Sequence, residues 1–219
     1  MGATGMWQIN ATALTVLIIL NMALSQTPEA LWIAVGIVAL LLAMYFCFRQ
    51  GLGAGHAACG VSVTVEAARK AGDQVYAQLD RKYLSRAWSA HAGFRGVLFS
   101  ALIPYCTGSA YIALTLLRQR LPSLEMPVVI ARVAAWVMAV PYWPLIMHWH
   151  EDFVALTPAI GIMLLLSPFV LPACTFAGYL QGPRLWAQTE VAMKEGRRRA
   201  KAKARVGKKL APRQQKPEI

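Results

Sequence analysis

The chain has few histidines and few acidic residues, and both shortages limit the chemistry that it can support. It contains four His and ten Asp or Glu, against 22 Lys or Arg, in 219 residues. Di-iron membrane oxygenases of the desaturase and hydroxylase kind need many histidines, so this chain alone is a poor candidate for such a site. Paired carboxylates are absent from its apolar runs, which disfavours proton-coupled transport.

Cysteine is also scarce, and its spacing has neither a metal-binding nor a disulfide pattern. Cys47, Cys59, Cys106 and Cys174 lie far apart and form no C-x-x-C pair, so neither a zinc ribbon nor a disulfide framework is predicted. The sequence also lacks a Walker lysine motif and a dinucleotide glycine fingerprint, which disfavours ATP hydrolysis by this chain alone. We therefore expect no enzyme activity and no cofactor.

Long uncharged runs are what the sequence does have. Hydrophobic residues make up 57% of the chain, above the ~45–50% that is usual for soluble domains, and the mean hydropathy is +0.45. The longest run, Phe153–Leu180, contains 28 residues without a charge. A helix needs about 20 apolar residues to cross a bilayer. The predicted fold class is therefore an all-α, polytopic membrane helical bundle.

Five apolar runs are candidate membrane spans. They are Trp7–Leu24, Leu31–Phe48, Gly96–Leu117, Met126–Met147 and Phe153–Leu180. The first two are joined by a short polar break and form a helical hairpin. Ala23-Leu24-Ser25 is a weak signal-cleavage match, but without a basic stretch before it the first run is expected to be a retained span.

Five crossings would place the two main basic segments of the chain on opposite sides of the membrane, which conflicts with the positive-inside rule. The segment 182–219 holds twelve of the 22 Lys and Arg, and 49–95 holds seven, so both are predicted to be cytoplasmic. Either one of the last three runs then fails to cross, or a weak additional span lies in Gly51–Ala68. We favour a re-entrant Gly96–Leu117 folded at Pro104–Ser109, which keeps Arg118 and Arg120 inside. Folding back Met126–Met147 or Phe153–Leu180 would leave these two arginines outside.

The prediction is thus about four transmembrane helices plus one broken or re-entrant segment. The chain divides into a hairpin at 1–48, a cytoplasmic segment at 49–95, a hydrophobic bundle at 96–181 and a basic cytoplasmic tail at 182–219. Within the second part, apolar residues at helical spacing predict an amphipathic helix over Glu66–Trp88. Leu31–Phe48 is expected to end at Arg49, and the three glycines at 51, 53 and 55 are expected to loosen the chain.

Three groups of residues are candidates for a functional site. Arg132 is the one charge well inside an apolar run, and it is predicted to be either a snorkelling anchor or a pathway or subunit contact. The predicted turn contributes Pro104, Thr107, Gly108 and Ser109 to the same pathway after oligomerisation, although packing by small residues is the favoured explanation of this segment. A weak metal-ligand pattern consists of His148, His150, Glu151 and Asp152. A polar loop between spans is the more economical explanation of that pattern.

The basic tail is expected to contact anionic phospholipid. Pro183 suits the start of a new helix, and basic residues near a last span are attracted to the anionic leaflet. The predicted lipid contacts are Arg184, Trp186, Arg197, Arg198, Arg199, Lys201, Lys203 and Arg205. Binding of RNA, for instance on a ribosome, is a less favoured alternative. A third interpretation is a simple topology anchor.

The passage Phe176–Trp186 and the Ala/Arg/Lys-rich end resemble those of bacterial membrane proteins of unassigned role, so we expect a bacterial cytoplasmic membrane. The basic segments predict that both termini are cytoplasmic. The leading functional hypothesis is a non-enzymatic accessory, scaffold or membrane-organising subunit, working with other membrane subunits or as a homo-oligomer. The second is a small transporter or channel subunit with a pathway at the 104–109 turn and Arg132. The third is a metal-dependent membrane enzyme that uses His148 and His150.

Overall fold

The computed structural model of the chain describes residues 3–24, 28–72, 84–142 and 156–210. All regular structure in these ranges is helical. The helices are α1 Ala3–Leu24, α2 Glu29–Ala71, α3 Ala90–Arg118, α4 Glu125–Ala139 and α5 Pro158–Leu210. Four of them, α1, α2, α3 and α5, are long and apolar enough to cross a bilayer. The predicted all-α class with four long apolar helices is confirmed.

Facing glycines allow α2 and α5 to lie against each other along much of their length. A Cβ at Gly51 would overlap the carbonyl of Thr175, and a Cβ at Gly55 would overlap the carbonyl of Tyr179. A Cβ at Gly178 would in turn overlap the backbone of α2. Small residues four apart let two backbones approach in this way. Since the contacts advance in the same direction on both helices, α2 and α5 are parallel.

Helix α3 runs antiparallel to this pair. Near the start of α3, Gly93 packs on the ring of Tyr179, and further along, Gly108 packs on the carbonyl of Leu164. The contacts therefore move backwards along α5 as α3 proceeds. Helix α1, which is joined to α2 by a short connection, is antiparallel to α2 and α5 as well. Arg118 consequently lies at the same end of the bundle as Pro158, and we call this the hairpin end. The opposite end is called the tail end.

A hydrogen-bonded cluster fixes the point at which α3 enters the bundle. The Tyr179 side chain is 1% exposed, and its hydroxyl accepts a hydrogen bond from the backbone N–H of Ser89 at 3.3 Å. The ring of Trp88 stacks on that of Tyr179 at a centroid distance of 6.2 Å, while the backbone N–H of Trp88 donates to Ser62 Oγ at 2.8 Å. The segment before α3 is thereby attached to both α2 and α5.

On α2 and on α3, two charged residues lie about one bilayer thickness apart. Glu29 and Arg49 on α2 are 20 residues apart, or roughly 30 Å at 1.5 Å per residue. Arg95 and Arg118 on α3 are roughly 35 Å apart by the same measure. The hydrocarbon core of a bilayer is ~30 Å thick, so we call the region between these two levels the membrane slab. Helices α2 and α5, with 43 and 53 residues, continue beyond it at the tail end.

Helix α4 is too short to cross the membrane slab. It has 15 residues, roughly 22 Å, and is followed by the 3-10 turn Val140–Tyr142. Tyr142 is 7% exposed and packs in one cluster with Leu17, Cys47 and Leu171, so α4 ends among the spans. The described part of the run Met126–Met147 therefore enters the slab without crossing it.

The predicted re-entrant fold of Gly96–Leu117 is wrong. That run belongs to the continuous helix α3, with Pro104 inside it. An interior proline removes one helical hydrogen bond, which neighbouring groups can replace without ending the helix. Here α3 passes through Pro104 without interruption, and Thr107 Oγ1 donates an additional hydrogen bond to the carbonyl of Pro104 at 2.8 Å. Since α3 spans the slab, Arg118 lies at the hairpin end, opposite the basic tail, and not on the tail side as predicted.

Two predicted breaks and one predicted helix also differ from the structure. Arg49 does not end a helix: Gly51 and Gly55 after it pack against α5, and α2 continues to Ala71. Pro183 lies inside α5. The predicted helix Glu66–Trp88 is interrupted at Gly72, whose φ of 121° is outside the helical range, and residues 73–83 are outside the described ranges. The division of the chain at residues 48, 95 and 181 stays a prediction.

Candidate functional site: a cavity within the membrane slab

Three buried polar side chains meet where α1, α3 and α5 come together. Asn10 Nδ2 donates to Ser100 Oγ at 3.3 Å, and Thr175 Oγ1 donates to Asn10 Oδ1 at 2.8 Å. Their residues are 6%, 9% and 0% exposed for Asn10, Ser100 and Thr175. Polar groups at this depth are costly unless they are hydrogen-bonded, so mutual pairing explains how the bundle accommodates them. We call these residues the polar triad.

A cavity of about 210 Å³ lies beside the polar triad, between α1, α3, α5 and the end of α4. Two triad members, Asn10 and Ser100, contribute to its wall, and Tyr142 contributes from the turn after α4. Most of the wall is apolar. The lining residues are Trp7, Asn10, Ala11, Leu14, Thr15, Ile18, Ser100, Ile103, Pro104, Met138, Tyr142, Pro168, Leu171 and Pro172.

Prolines give the cavity wall an unusual backbone. Pro104, Pro168 and Pro172 all line the cavity and all lie inside helices. A proline has no N–H for the carbonyl four residues earlier. Ser100 and Pro168, themselves lining residues, therefore lose the helical donor to their carbonyls. Two residues of the cavity wall thus have carbonyls without their usual α-helical donor.

The rim of the cavity is exposed at the depth of the membrane slab. Trp7 is 38% exposed and Ile103 is 52% exposed, and both line the cavity. Pro168 is ten residues into α5 from Pro158, or roughly 15 Å along the axis. Asn10 bonds to Thr175, which is three residues before Gly178 and so close to the level of Arg49. The cavity therefore extends from near the tail-side boundary of the slab to about its middle.

The predicted pathway residues Pro104, Thr107, Gly108 and Ser109 do not line one common surface in the structure. Pro104 lines the cavity, and Thr107 bonds to the carbonyl of Pro104. Gly108 packs against the Leu164 carbonyl, as packing by small residues predicts. The hydroxyl of Ser109 is buried and has no hydrogen-bond partner among the described residues.

Arg132 lies apart from the cavity. It is partly exposed on α4, four residues after Val128 and three before Ala135, which are buried against α3 and α5. Glu125, at the start of the same helix, pairs with Arg118 at 3.0 Å, with the Glu125 and Arg118 side chains 68% and 50% exposed. Such an exposed ion pair contributes little to stability. The role of Arg132 as an anchor or a subunit contact stays a prediction.

At the tail end, the fold brings three arginines that are distant in sequence to within roughly 9 Å of one another along the bundle axis. Arg49 lies near the level of Gly178, and Arg95 follows Gly93, which packs on Tyr179. Arg184 is six residues beyond Gly178, roughly 9 Å further along α5. All three arginines are exposed. We call Arg49, Arg95 and Arg184 the arginine collar.

The other predicted lipid contacts fall into two groups. The ring of Trp186 packs on Gly60 and lies 5.0 Å from that of His56, so Trp186 helps to join α5 to α2. His56 Nε2 is 3.1 Å from Thr189 Oγ1 in the same contact. Among the predicted lipid contacts of the tail, Arg197, Arg198, Arg199 and Lys201 are exposed. Lys203 and Arg205 belong to α5, but their side chains are outside the described set.

The weak metal-ligand candidates His148, His150, Glu151 and Asp152 lie outside the described residues. Within residues 3–24, 28–72, 84–142 and 156–210, no three His, Cys, Asp or Glu side chains are grouped as a metal site. No protein-family model matches the chain, and no curated protein or solved structure is significantly similar to it. The argument for function therefore depends on the cavity, the collar and the tail.

Proposed function

We propose that the protein is a non-enzymatic, multi-pass accessory or scaffold subunit of a bacterial cytoplasmic membrane, held at an anionic leaflet by the arginine collar. The observation that carries this proposal is the collar itself. It is separated by about one bilayer thickness, ~30 Å, from Glu29 at the hairpin end. Basic residues near an anionic membrane surface contribute about 1 kcal/mol each.

The distribution of charge supports the orientation. The described basic residues at the tail end outnumber those at the hairpin end, where Arg118 and Arg120 lie. Positive charge near span ends favours the cytoplasmic side. In this proposal the tail end, with both termini, is cytoplasmic, and the α1–α2 connection is on the other side.

The tail extends the scaffold beyond the leaflet. Helix α5 continues without interruption from the membrane slab to Leu210, and Trp186 holds it against α2. Arg197 is eleven residues beyond Trp186, or roughly 16 Å along a straight helix. Surface charges are screened over ~8 Å at physiological salt. The collar is thus the principal contact with anionic phospholipid in this proposal, and the tail presents its positive charge further out, where an accessory subunit would meet its partners.

Two variants of equal charge change test this assignment. The collar variant replaces Arg49, Arg95 and Arg184 by Gln, and the tail variant replaces Arg197, Arg198 and Arg199 by Gln. Each is purified from membranes, and the phosphatidylglycerol that it retains is measured by native mass spectrometry. We expect the collar variant to retain clearly less lipid and the tail variant to resemble the unmodified protein. Greater loss from the tail variant would overturn the collar assignment and support the predicted tail contact.

The second candidate function, a small transporter or channel subunit, is favoured by the cavity. The sequence predicted its pathway at Pro104, Thr107, Gly108, Ser109 and Arg132. Only Pro104 belongs to the cavity wall, so in this second proposal the pathway is the cavity itself. The described lining has no His, Asp, Glu, Lys or Arg, so an ion would have no charged ligand there. For this reason the scaffold proposal is preferred.

A further inference from the structure

The cavity has the features of a binding site for a small neutral molecule. Its volume of about 210 Å³ exceeds the 150 Å³ of an engineered apolar cavity that accepts benzene. One ring, or a comparable length of hydrocarbon chain, therefore fits inside. Ligand sites are typically apolar with a few well-placed polar groups, and this wall combines leucine, isoleucine and methionine with Asn10 and Ser100.

The chemistry of the wall restricts the ligand. The described lining carries no charged side chain, so an ionised group would lose its hydration without gaining a counter-ion. The amide of Asn10 and the hydroxyl of Ser100 can instead exchange hydrogen bonds with an uncharged hydroxyl or carbonyl. These two side chains are hydrogen-bonded neighbours in a mostly apolar wall, which matches a molecule with one polar group.

The position of the opening indicates the source of the ligand. Ile103 lines the cavity, lies eight residues after Arg95 and so within the membrane slab, and is 52% exposed, which allows a molecule to enter sideways from the bilayer. We propose that the cavity binds a neutral amphiphile from the membrane, with its uncharged hydroxyl or carbonyl group against Asn10 and Ser100 and its apolar part against Leu14, Ile18 and Met138. This site is independent of the collar and the tail.

The mutual hydrogen bonds of the polar triad give the site a fixed shape. Asn10 connects Ser100 and Thr175 across three helices, and Ser100 Oγ also donates to the carbonyl of Val97 at 2.9 Å. Side chains held in this way do not need to be ordered by the ligand, which lowers the entropic cost of binding. The triad therefore positions the polar part of the wall before the amphiphile enters.

Photolabelling tests the proposal on the full chain. The protein is reconstituted in nanodiscs of phosphatidylethanolamine and phosphatidylglycerol and exposed to a long-chain alcohol with a diazirine midway along its chain. The matched probe is the fatty acid of the same length and diazirine position, which is ionised at neutral pH. After illumination, labelled residues are identified by mass spectrometry. We expect the alcohol to label cavity residues such as Leu14 and Met138, and the acid to label them much less.

A pair of alanine substitutions on α1 separates the cavity from the lipid-facing surface. Ala11 lines the cavity, whereas Ala23 is exposed on the same helix. Ala11→Phe should reduce cavity labelling by the alcohol about tenfold, since the new ring occupies the volume that the ligand needs, and Ala23→Phe should leave it unchanged. Size-exclusion elution and circular dichroism check the fold. If Ala11→Phe does not fold, Leu14→Phe fills the same space.

The opposite results would overturn the proposal. One is labelling that is spread evenly over lipid-facing residues such as Ile19 and Met22, without enrichment in the cavity. Another is unchanged cavity labelling in a folded Ala11→Phe or Leu14→Phe variant. Equal labelling of the cavity by the alcohol and the acid would also contradict it, because the restriction to a neutral ligand would then be wrong.

Discussion

Two glycines on α2, Gly53 and Gly55, are only two residues apart but differ in whether a side chain would fit beside them. Gly55 contacts the backbone of α5, where a Cβ would overlap the Tyr179 carbonyl, while a Cβ at Gly53 would meet nothing within 4 Å. In a helix interior, glycine is less favourable than alanine by roughly 0.5–1 kcal/mol. Gly53 therefore costs the helix stability without a packing gain, and Gly55 makes the close approach of α2 and α5 possible.

Replacing each of these glycines by alanine should change stability in opposite directions. We expect Gly55→Ala to destabilise the bundle by about 1–3 kcal/mol, because α2 and α5 must move apart. We expect Gly53→Ala to stabilise it by roughly 0.5–1 kcal/mol through helix propensity. The free energies of unfolding are measured by circular dichroism in mixed micelles with increasing dodecyl sulfate. Equal effects of the two substitutions would show that the helices are not in contact at Gly55.

The polar triad shows what single residues in the sequence cannot reveal. Asn10 stands out as a polar residue in an apolar run, and so do Ser100 and Thr175. However, Asn10 is 90 residues from Ser100 and 165 from Thr175. Whether such a residue faces lipid, a neighbour or a cavity depends on helix packing, which local composition does not encode. The cavity was therefore missed, and Pro104 was identified for a turn that does not exist.

At the scale of the element, the apolar runs predicted the long helices well because membrane spans are selected by composition and length. The ends of helices were predicted less well. Arg49 and Pro183 have the local character of breaks, yet α2 and α5 pass through them because their glycine faces pack together. The re-entrant segment was assigned to Gly96–Leu117 on the evidence of two arginines, whereas the half-span helix is α4.

The crossing of α3 can be tested by accessibility. In a background with the native cysteines replaced, Gln119→Cys at the hairpin end and Gln188→Cys on the exposed side of α5 are probed with a membrane-impermeant maleimide. We expect Gln119→Cys to react in intact cells and Gln188→Cys to react only in inverted vesicles, since the two positions lie at opposite ends of the bundle. Reaction of both from the cytoplasmic side would contradict a full crossing by α3 and restore the re-entrant interpretation.

At the scale of the whole molecule, the slab is defined by charges that belong to different helices. On α2 the interval from Glu29 to Arg49 is roughly 30 Å, and on α3 the interval from Arg95 to Arg118 is roughly 35 Å. The parallel pair of α2 and α5 ties these helices into one unit, so they cannot tilt independently to suit a thinner or thicker membrane. Adaptation would have to deform the bilayer or weaken the packing of α3 and α4.

The stability of the protein should therefore depend on bilayer thickness. We expect the thermal midpoint to be highest in phosphatidylcholine bilayers whose hydrocarbon core is near 30 Å, and to fall in thinner and thicker ones, because mismatch costs fractions of a kcal/mol per Å. The midpoint is followed by circular dichroism in a series of acyl-chain lengths at constant headgroup. A control variant, Arg49→Leu, lengthens the apolar part of α2 at the tail end and should shift the optimum towards thicker bilayers. A midpoint independent of thickness would mean that Glu29, Arg49, Arg95 and Arg118 do not mark the membrane boundaries.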